Sequence, residues 1–300
     1  MRDTVPTENE TGADAFRLPD DAHVGRVRLR VAELERSLRL YRDVLGLVPV
    51  REEGSVLALG TPDGVGADAR EGEGAGRELV ILEEVPGIVR RSPRPTTTGL
   101  YHVALRVPSR RALARTVAQL AATRYPLRGM SDHAVSESLY LDDPDGNGLE
   151  IYADRPRAVW PFRGGEVQMT VDPLDFDGLL AELGEDAGPW LGLPSGSDVG
   201  HVHFTVSDLA AAEAFYAGRL GFGVMARIPS LTAVSAGGYH HHLNLNTWAG
   251  HGAPREPDGV AGLAEWELVV PGAAARERLR ERLGGSRAED PDGIRVSLVG

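Results

Sequence analysis

Between residues 24 and 31 apolar and polar side chains alternate. Val27, Leu29 and Val31 fall on one face, and Arg26, Arg28 and Arg30 on the other. A period of two predicts a strand with one face in a core. Leu34, Leu38, Tyr41 and Leu45 then recur at helical spacing, and Gly46 suits the left-handed residue just past a helix end. The same signals return at 199. Val202, Phe204 and Val206 alternate with His201, His203 and Thr205, Ser207 or Asp208 suits a helix N-cap, and Gly221 suits the end of that helix. The stretch VGRVRLRVAELERSLRLYRDVLGL from Val24 and the stretch VGHVHFTVSDLAAAEAFYAGRLGF from Val199 share Val, Gly, Leu and Tyr at matching offsets, so the chain contains an internal repeat. Where the first copy has Arg26, the second has His201.

A second kind of unit alternates with the first. GLYHVALRVP begins at Gly99, a helix is predicted over 111–122, and the unit finishes in LYLDDPDGNGLEIYA. GLAEWELVVP begins at Gly262, with a helix over 273–283 and a finish in EDPDGIRVSLV. DPDG suits a type I turn whose glycine releases the chain into the next strand. The order strand–helix–strands thus occurs four times, in modules over 22–85, 99–154, 198–250 and 262–300. Read as contiguous domains, these are 22–154 and 198–300, preceded by a flexible tail over 1–21. Residues 155–197 read as a linker, with Pro156, Pro161, Gly164 and Gly165 and a short helix near Leu179. The Gly- and acid-rich stretch 60–77 reads as a surface loop.

Composition narrows the chemistry. A hydrophobic content of 42% supplies a core, and the net charge of -12 with a pI near 5.2 disfavours nucleic acid and anionic membranes as partners. No apolar run approaches a membrane span, and the polar N-terminal stretch lacks the apolar segment of a secretory signal, so a cytoplasmic location is expected. With no cysteine, any metal must be held by histidine and carboxylate.

Four such units, with SDHAVSESLYLDDPDGNGLEIYADRP, GLYHVALRVP and SAGGYHHHLNLNTWAG, resemble the vicinal-oxygen-chelate superfamily. Its members include glyoxalase I, fosfomycin-resistance proteins, bleomycin-binding proteins and extradiol catechol dioxygenases. The closer resemblance, over nearly the whole chain after the tail, is to two-domain bacterial catechol 2,3-dioxygenases. It implies an α+β fold of four βαβββ modules forming two half-open barrels. It also implies a ligand on the first strand of each paired module and a carboxylate on the last strand of the second. The matching first-strand positions are Arg26, His102, His201 and Glu265, and the last-strand positions are Glu150 and Ser297. Pairing modules one with two, and three with four, gives no good metal site, because a cationic Arg26 would face the metal. Crossed pairing, two with three and one with four, gives His102, Glu150 and His201. That is a two-His-one-carboxylate set, which suits non-haem Fe(II). It leaves Arg26, Arg28 and Arg30 opposite Glu265 and Glu267, with Arg26 facing Glu265, in a closed barrel without metal. The crossing can form within one chain or between the chains of a homo-oligomer.

The resemblance further implies extradiol ring cleavage of a small aromatic diol by O₂ at Fe(II), with Mn(II) also suiting the ligands. Tyr140 and His133 match the substrate-side Tyr and His. One of His240, His241 and His242 matches the acid–base His; His241 aligns best, and the other two stay open. Asn244 lies near the position where glyoxalase I needs a second carboxylate ligand. The linker, including Trp160 and Phe162, is expected to line the pocket and set substrate choice. The alternatives are a metal-dependent transferase or isomerase of the fosfomycin or glyoxalase type, and a non-catalytic binding protein of the bleomycin type.

Overall fold

The computed structural model describes residues 16–62, 78–92, 96–185 and 188–300. Most of the expected tail (1–15) and most of the expected surface loop (63–77) lie outside them.

The first module forms β1 (His23–Val31), α1 (Leu34–Tyr41), β2 (Val48–Glu53), β3 (Val56–Gly60) and β4 (Glu78–Glu84). The second forms β5 (Gly99–Arg106), α2 (Arg110–Thr123), β6 (Gly129–Asp132), β7 (Ser136–Asp142) and β8 (Gly148–Asp154). The linker carries a two-stranded hairpin, β9 (Phe162–Arg163) and β10 (Glu166–Val167), and a short helix α3 (Phe176–Ala181). The third module forms β11 (Asp198–Thr205), α4 (Leu209–Glu213), β12 (Gly223–Ile228), β13 (Leu231–Ser235) and β14 (Leu243–Asn246). The fourth forms β15 (Gly262–Val269), α5 (Ala273–Leu283), β16 (Arg287–Glu289) and β17 (Arg295–Val299). The helix starts follow capping chemistry: Ser109 and Asp208 accept from the backbone N–H three residues on.

Two large sheets result, and each draws strands from both halves of the chain. The eight-stranded sheet runs β12-β13-β14-β11-β5-β8-β7-β6, and the seven-stranded sheet runs β16-β17-β15-β1-β4-β3-β2. The first strands of modules meet antiparallel at each centre, β5 with β11 and β1 with β15. Their apolar faces, including Leu29, Val103, Phe204 and Trp266, are fully buried in one continuous core.

The repeated Tyr and DPDG motifs lock modules together. Asp143 Oδ1 accepts the N–H groups of Asp145 and Asn147, each at 2.8 Å, while Oδ2 accepts from the Tyr41 hydroxyl at 3.2 Å. In the other half Asp290 Oδ1 accepts from Asp292 and Ile294 at 2.8 Å, and Oδ2 from Tyr216 at 2.9 Å. The helix of module one is thus tied to the turn of module two, and that of module three to the turn of module four.

Three sequence expectations need correction. Residues 16–21 are not a free tail: the Leu18 N–H donates to the Gly221 carbonyl at 3.0 Å, and Leu18 is buried. Phe16 and Leu18 are apolar residues that find cover at the end of the third-module helix. Arg26 does not face Glu265. Its Nε lies 2.9 Å from both Glu267 carboxylate oxygens, and its guanidinium also pairs with Glu78. The cause is a register shift between Val24 and Val27, which sets Arg28, not Arg26, opposite Glu265. Glu265 pairs instead with Arg287 and Ser297. Nor is this network sealed, because the Arg26 side chain is 37% exposed.

That exposure sets the size of a prediction. Arg26→Met strands Glu267, which is 14% exposed, and leaves Glu78 with Arg51. The expected loss is about 1–2 kcal/mol, between values for exposed and buried pairs. Arg26→Met with Glu267→Leu should recover most of it, as read from urea midpoints at constant m-value. Full additivity of the two losses would refute the pairing.

Candidate active site

One face of the eight-stranded sheet lines a cavity and carries the candidate site residues. On β5 and β11 the core-facing residues are Val103, Leu105, Val202 and Phe204, so alternation turns His102, His201 and His203 to the other face. Antiparallel pairing sets His102 directly across from His203, and His201 across from Ala104. On β8, parallel to β5, Glu150 lies beside Ala104. Two close approaches make this possible. A Cβ at Gly148 would sit 2.2 Å from the Tyr101 carbonyl, and one at Gly200 would sit 1.9 Å from the Tyr152 hydroxyl. Glycine at both places lets the strands and the ring of Tyr152 close up around the histidines.

His102 Nε2 is 2.9 Å from Glu150 Oε2, His201 Nε2 is 3.1 Å from the same oxygen, and the two Nε2 atoms are 3.4 Å apart. Ligands roughly 2.1 Å from one ion at right angles are separated by roughly 3.0 Å, so this donor triangle matches three adjacent corners of an octahedron. It is the one cluster of this kind found among the described residues. All three side chains are buried. Burial would raise the Glu150 carboxyl, but the two histidines outweigh it and hold Glu150 well below the usual range. Burial, opposed by Glu150, pushes His201 down to about 4. The groups are therefore a carboxylate and, at His201, a neutral imidazole, the forms a cation needs. Ser138 on β7, which the sequence reading passed over, donates to Glu150 Oε1 at 2.6 Å and fixes the carboxylate's rotation.

The remaining expected residues surround this cluster. Tyr140 on β7 sits opposite Glu150, its ring 5.6 Å from that of His102. His133 Nδ1 lies 2.6 Å from the Thr170 carbonyl, which can only accept, so the proton is on Nδ1. His133 Nε2, 2.6 Å from the Tyr140 hydroxyl, accepts from it in the neutral ring. The ring of His241 lies 4.2 Å from that of His201. Of the three consecutive histidines, His241 lines the cavity, whereas His240 contacts Asp154 and His242 turns to the Ser235 hydroxyl at 2.8 Å.

His203 was also passed over, although it follows His201 by two residues on the same face. It stacks edge-on with His102 and Trp248. Asn246 Oδ1 accepts from the Trp248 N–H, so its amide N–H donates to His203 Nε2 at 2.9 Å. Asn244 stands beside His203 as Glu150 stands beside Ala104. It is thus the register equivalent of Glu150 in the neighbouring module, with a neutral amide in place of a carboxylate.

The cavity holds about 580 Å³, in the range of small-molecule sites. Its outer wall comes from the linker, but not from the residues expected. Trp160 is buried against Val135 and Val167, and Phe162 is half exposed. The β9–β10 hairpin turns the chain back, and Asp172 pairs with Asp132 at the edge of β6. Val167, Met169, Thr170 and Val171 therefore face the cavity.

The chain belongs to the Glyoxalase/Bleomycin resistance protein/Dioxygenase superfamily, whose model matches residues 23–151 and 198–267. It is 42% identical over 255 residues to a catechol-2,3-dioxygenase of Bacillus subtilis (strain 168), covering 84% of each chain. Among solved structures, a putative dioxygenase from Bacillus subtilis aligns with TM-score 0.59 at 12% identity, over 95% of this chain and 86% of that one. Glyoxalase I from Zea mays aligns with TM-score 0.53 at 17% identity, over 93% and 92%. The solved structures share the fold. Among the described residues no helix is long and apolar enough to cross a membrane.

Proposed function

We propose that the chain is an extradiol ring-cleaving dioxygenase, acting on a catechol and O₂ at one mononuclear Fe(II) held by His102, Glu150 and His201. The observation that carries this reading is the donor triangle, set beside His241, Tyr140 and His133 in one cavity. The 42% identity to a catechol-2,3-dioxygenase supports it. His102, His201 and Glu150 would hold divalent iron, which would supply Lewis-acid activation of the diol and reactivity toward O₂. Mn(II) suits the same donors, and the softer imidazole pair favours iron. The working half of the molecule is then 99–154 with 198–250, and 22–85 with 262–300 forms its partner.

In the reaction the bond between a hydroxylated ring carbon and its unhydroxylated neighbour breaks, and both atoms of O₂ enter the product. No external reductant is required. His241 takes the proton of one diol hydroxyl and returns it later. Burial, with His201 and His240 beside it, holds His241 well below the usual histidine range, so it begins neutral. Tyr140, its own proton engaged by His133, presents its oxygen to the diol and orients it. The apolar walls at Val167, Met169 and Leu231 exclude water from the ring.

Asn244 weighs against a glyoxalase-type isomerase, since a neutral amide stands where a second carboxylate ligand would be required. The test is anaerobic loading with Fe(II) or Mn(II), then exposure to O₂ with a series of substituted catechols. A yellow ring-opened semialdehyde, with one O₂ consumed per product, is expected from the iron form. No O₂ uptake with any catechol, despite one bound metal per chain, would overturn the reading.

A further inference from the structure

Behind His241, away from the cavity, lies a polar chain that runs from buried His240 to partly exposed Asp154 and Arg106 and has no assigned role. His240 is fully buried. Its Nε2 is 2.8 Å from Asp154 Oδ1, and its Nδ1 is 2.8 Å from His241 Nδ1. Asp154 also accepts from Arg106 Nη1 at 3.1 Å and from the Tyr239 hydroxyl at 3.0 Å. Arg106 is anchored in turn by Asp198, 2.7 Å away. The rings of Tyr239 and Trp160, centred 4.0 and 5.0 Å away, pack against His240 and hold its plane.

We propose that Asp154 and His240 are positioning residues that fix the tautomer of His241, leaving its Nε2 without a proton toward the cavity. The proposal rests on the dioxygenase reading, with His241 as proton acceptor. The hydrogen-bond logic is directional. Burial would raise Asp154, but His240 and Arg106 outweigh it and keep the carboxyl below its usual range. An ionised carboxylate can only accept, so His240 Nε2 carries the proton. Burial keeps His240 neutral by lowering it below the usual histidine range, and its Nδ1 is then a bare lone pair. A contact between two ring nitrogens at 2.8 Å needs one proton between them, and His241 Nδ1 must supply it. With His241 Nδ1 donating to His240, the other ring nitrogen, Nε2, is left as an acceptor. When Nε2 gains a proton, the Nδ1–H bond to His240 is retained and helps stabilise the imidazolium. The same orienting logic, a carboxylate fixing a histidine tautomer, operates in Ser-His-Asp enzymes; here a second imidazole is interposed.

The direct test is the tautomer itself, read by long-range ¹H–¹⁵N correlation on the full chain labelled at histidine and loaded with Zn(II) to keep it diamagnetic. The Nδ1–H form at His241 supports the proposal, and the Nε2–H form overturns it, with no variant needed. In Asp154→Asn, Arg106 and Tyr239 hold the amide oxygen, so the amide N–H faces His240. Both imidazoles should then reverse, turning an N–H into the cavity. With Fe(II), kcat should fall by about 10²-fold or more, while KM and iron content stay near those of the unmodified protein. Unchanged tautomer and kcat in Asp154→Asn would refute the relay. Failure of the unmodified iron enzyme to cleave any catechol would instead overturn the dioxygenase reading, and the spectra would still decide the tautomer.

Discussion

Replacing His102, Glu150 or His201 by alanine is expected to abolish tight metal binding and, with it, all turnover. The three donor atoms lie within 2.9–3.4 Å of one another and share one buried locus. Two donors cannot close the same face of an ion, and at the register position equivalent to Glu150 in the neighbouring module a neutral amide, Asn244, stands in place of a carboxylate. The size of the loss is bounded from below by Ser138. Ser138→Ala removes only the hydrogen bond that orients Glu150, a change that typically costs roughly 10–100-fold in metal affinity. A true ligand variant must cost more than that. Competition with a chelator of known affinity, followed by elemental analysis, ranks the four variants. An active His102→Ala protein with full metal content would refute the assignment. So would a Ser138→Ala protein that loses more affinity than Glu150→Ala.

Much of this site was legible before any coordinates, because strand periodicity and turn chemistry are local. Alternation through VGHVHFTV placed His201 opposite the core-facing residues, DPDG placed Glu150 just after a turn, and the superfamily resemblance picked out His102, His201 and Glu150 as ligands. Tyr140 and Glu150 face one another across β7 and β8, as a hairpin separated by that turn requires. The superfamily and the four-module α+β fold followed from the same motifs.

What was not legible depends on neighbours distant in sequence. The Arg26 partner changed from Glu265 to Glu267 because a bulge consumes a residue on β1 that its own sequence does not announce. His203 carried the same periodic signal as His201 but no motif to distinguish it. Ser138 is an ordinary strand serine until Glu150 is folded beside it. His240 looked equivalent to His242, yet one meets a carboxylate and the other a hydroxyl. The linker's wall residues were misread because the aromatic side chains suggested a pocket, whereas Trp160 fills a small core of its own.

His241→Ala and Tyr140→Phe are expected to leave metal content intact and to slow turnover by different amounts. Neither side chain shares the donor triangle: His241 meets His201 ring to ring at 4.2 Å, and Tyr140 lies 5.6 Å from the His102 ring. Losing a general acid–base group costs roughly 10²–10⁴-fold in rate, and His241→Ala should show this in kcat. Tyr140→Phe removes one hydroxyl, which burial and nearby Glu150 hold well above the usual tyrosine range and therefore neutral. In the proposed mechanism that hydroxyl orients substrate, and its hydrogen bond to His133 fixes its direction. Loss of one such oriented group costs at most about 10²–10³-fold. Tyr140→Phe also leaves His133 Nε2 without its donor, so adding His133→Gln to it should cost little more, whereas His133→Gln added to His241→Ala should multiply the loss. Single-turnover kinetics with iron-loaded variants, alongside iron content, separates these effects. Iron loss from His241→Ala equal to that from His201→Ala would place His241 among the ligands. Independent, fully multiplicative losses at Tyr140 and His133 would show that the two do not act as a pair.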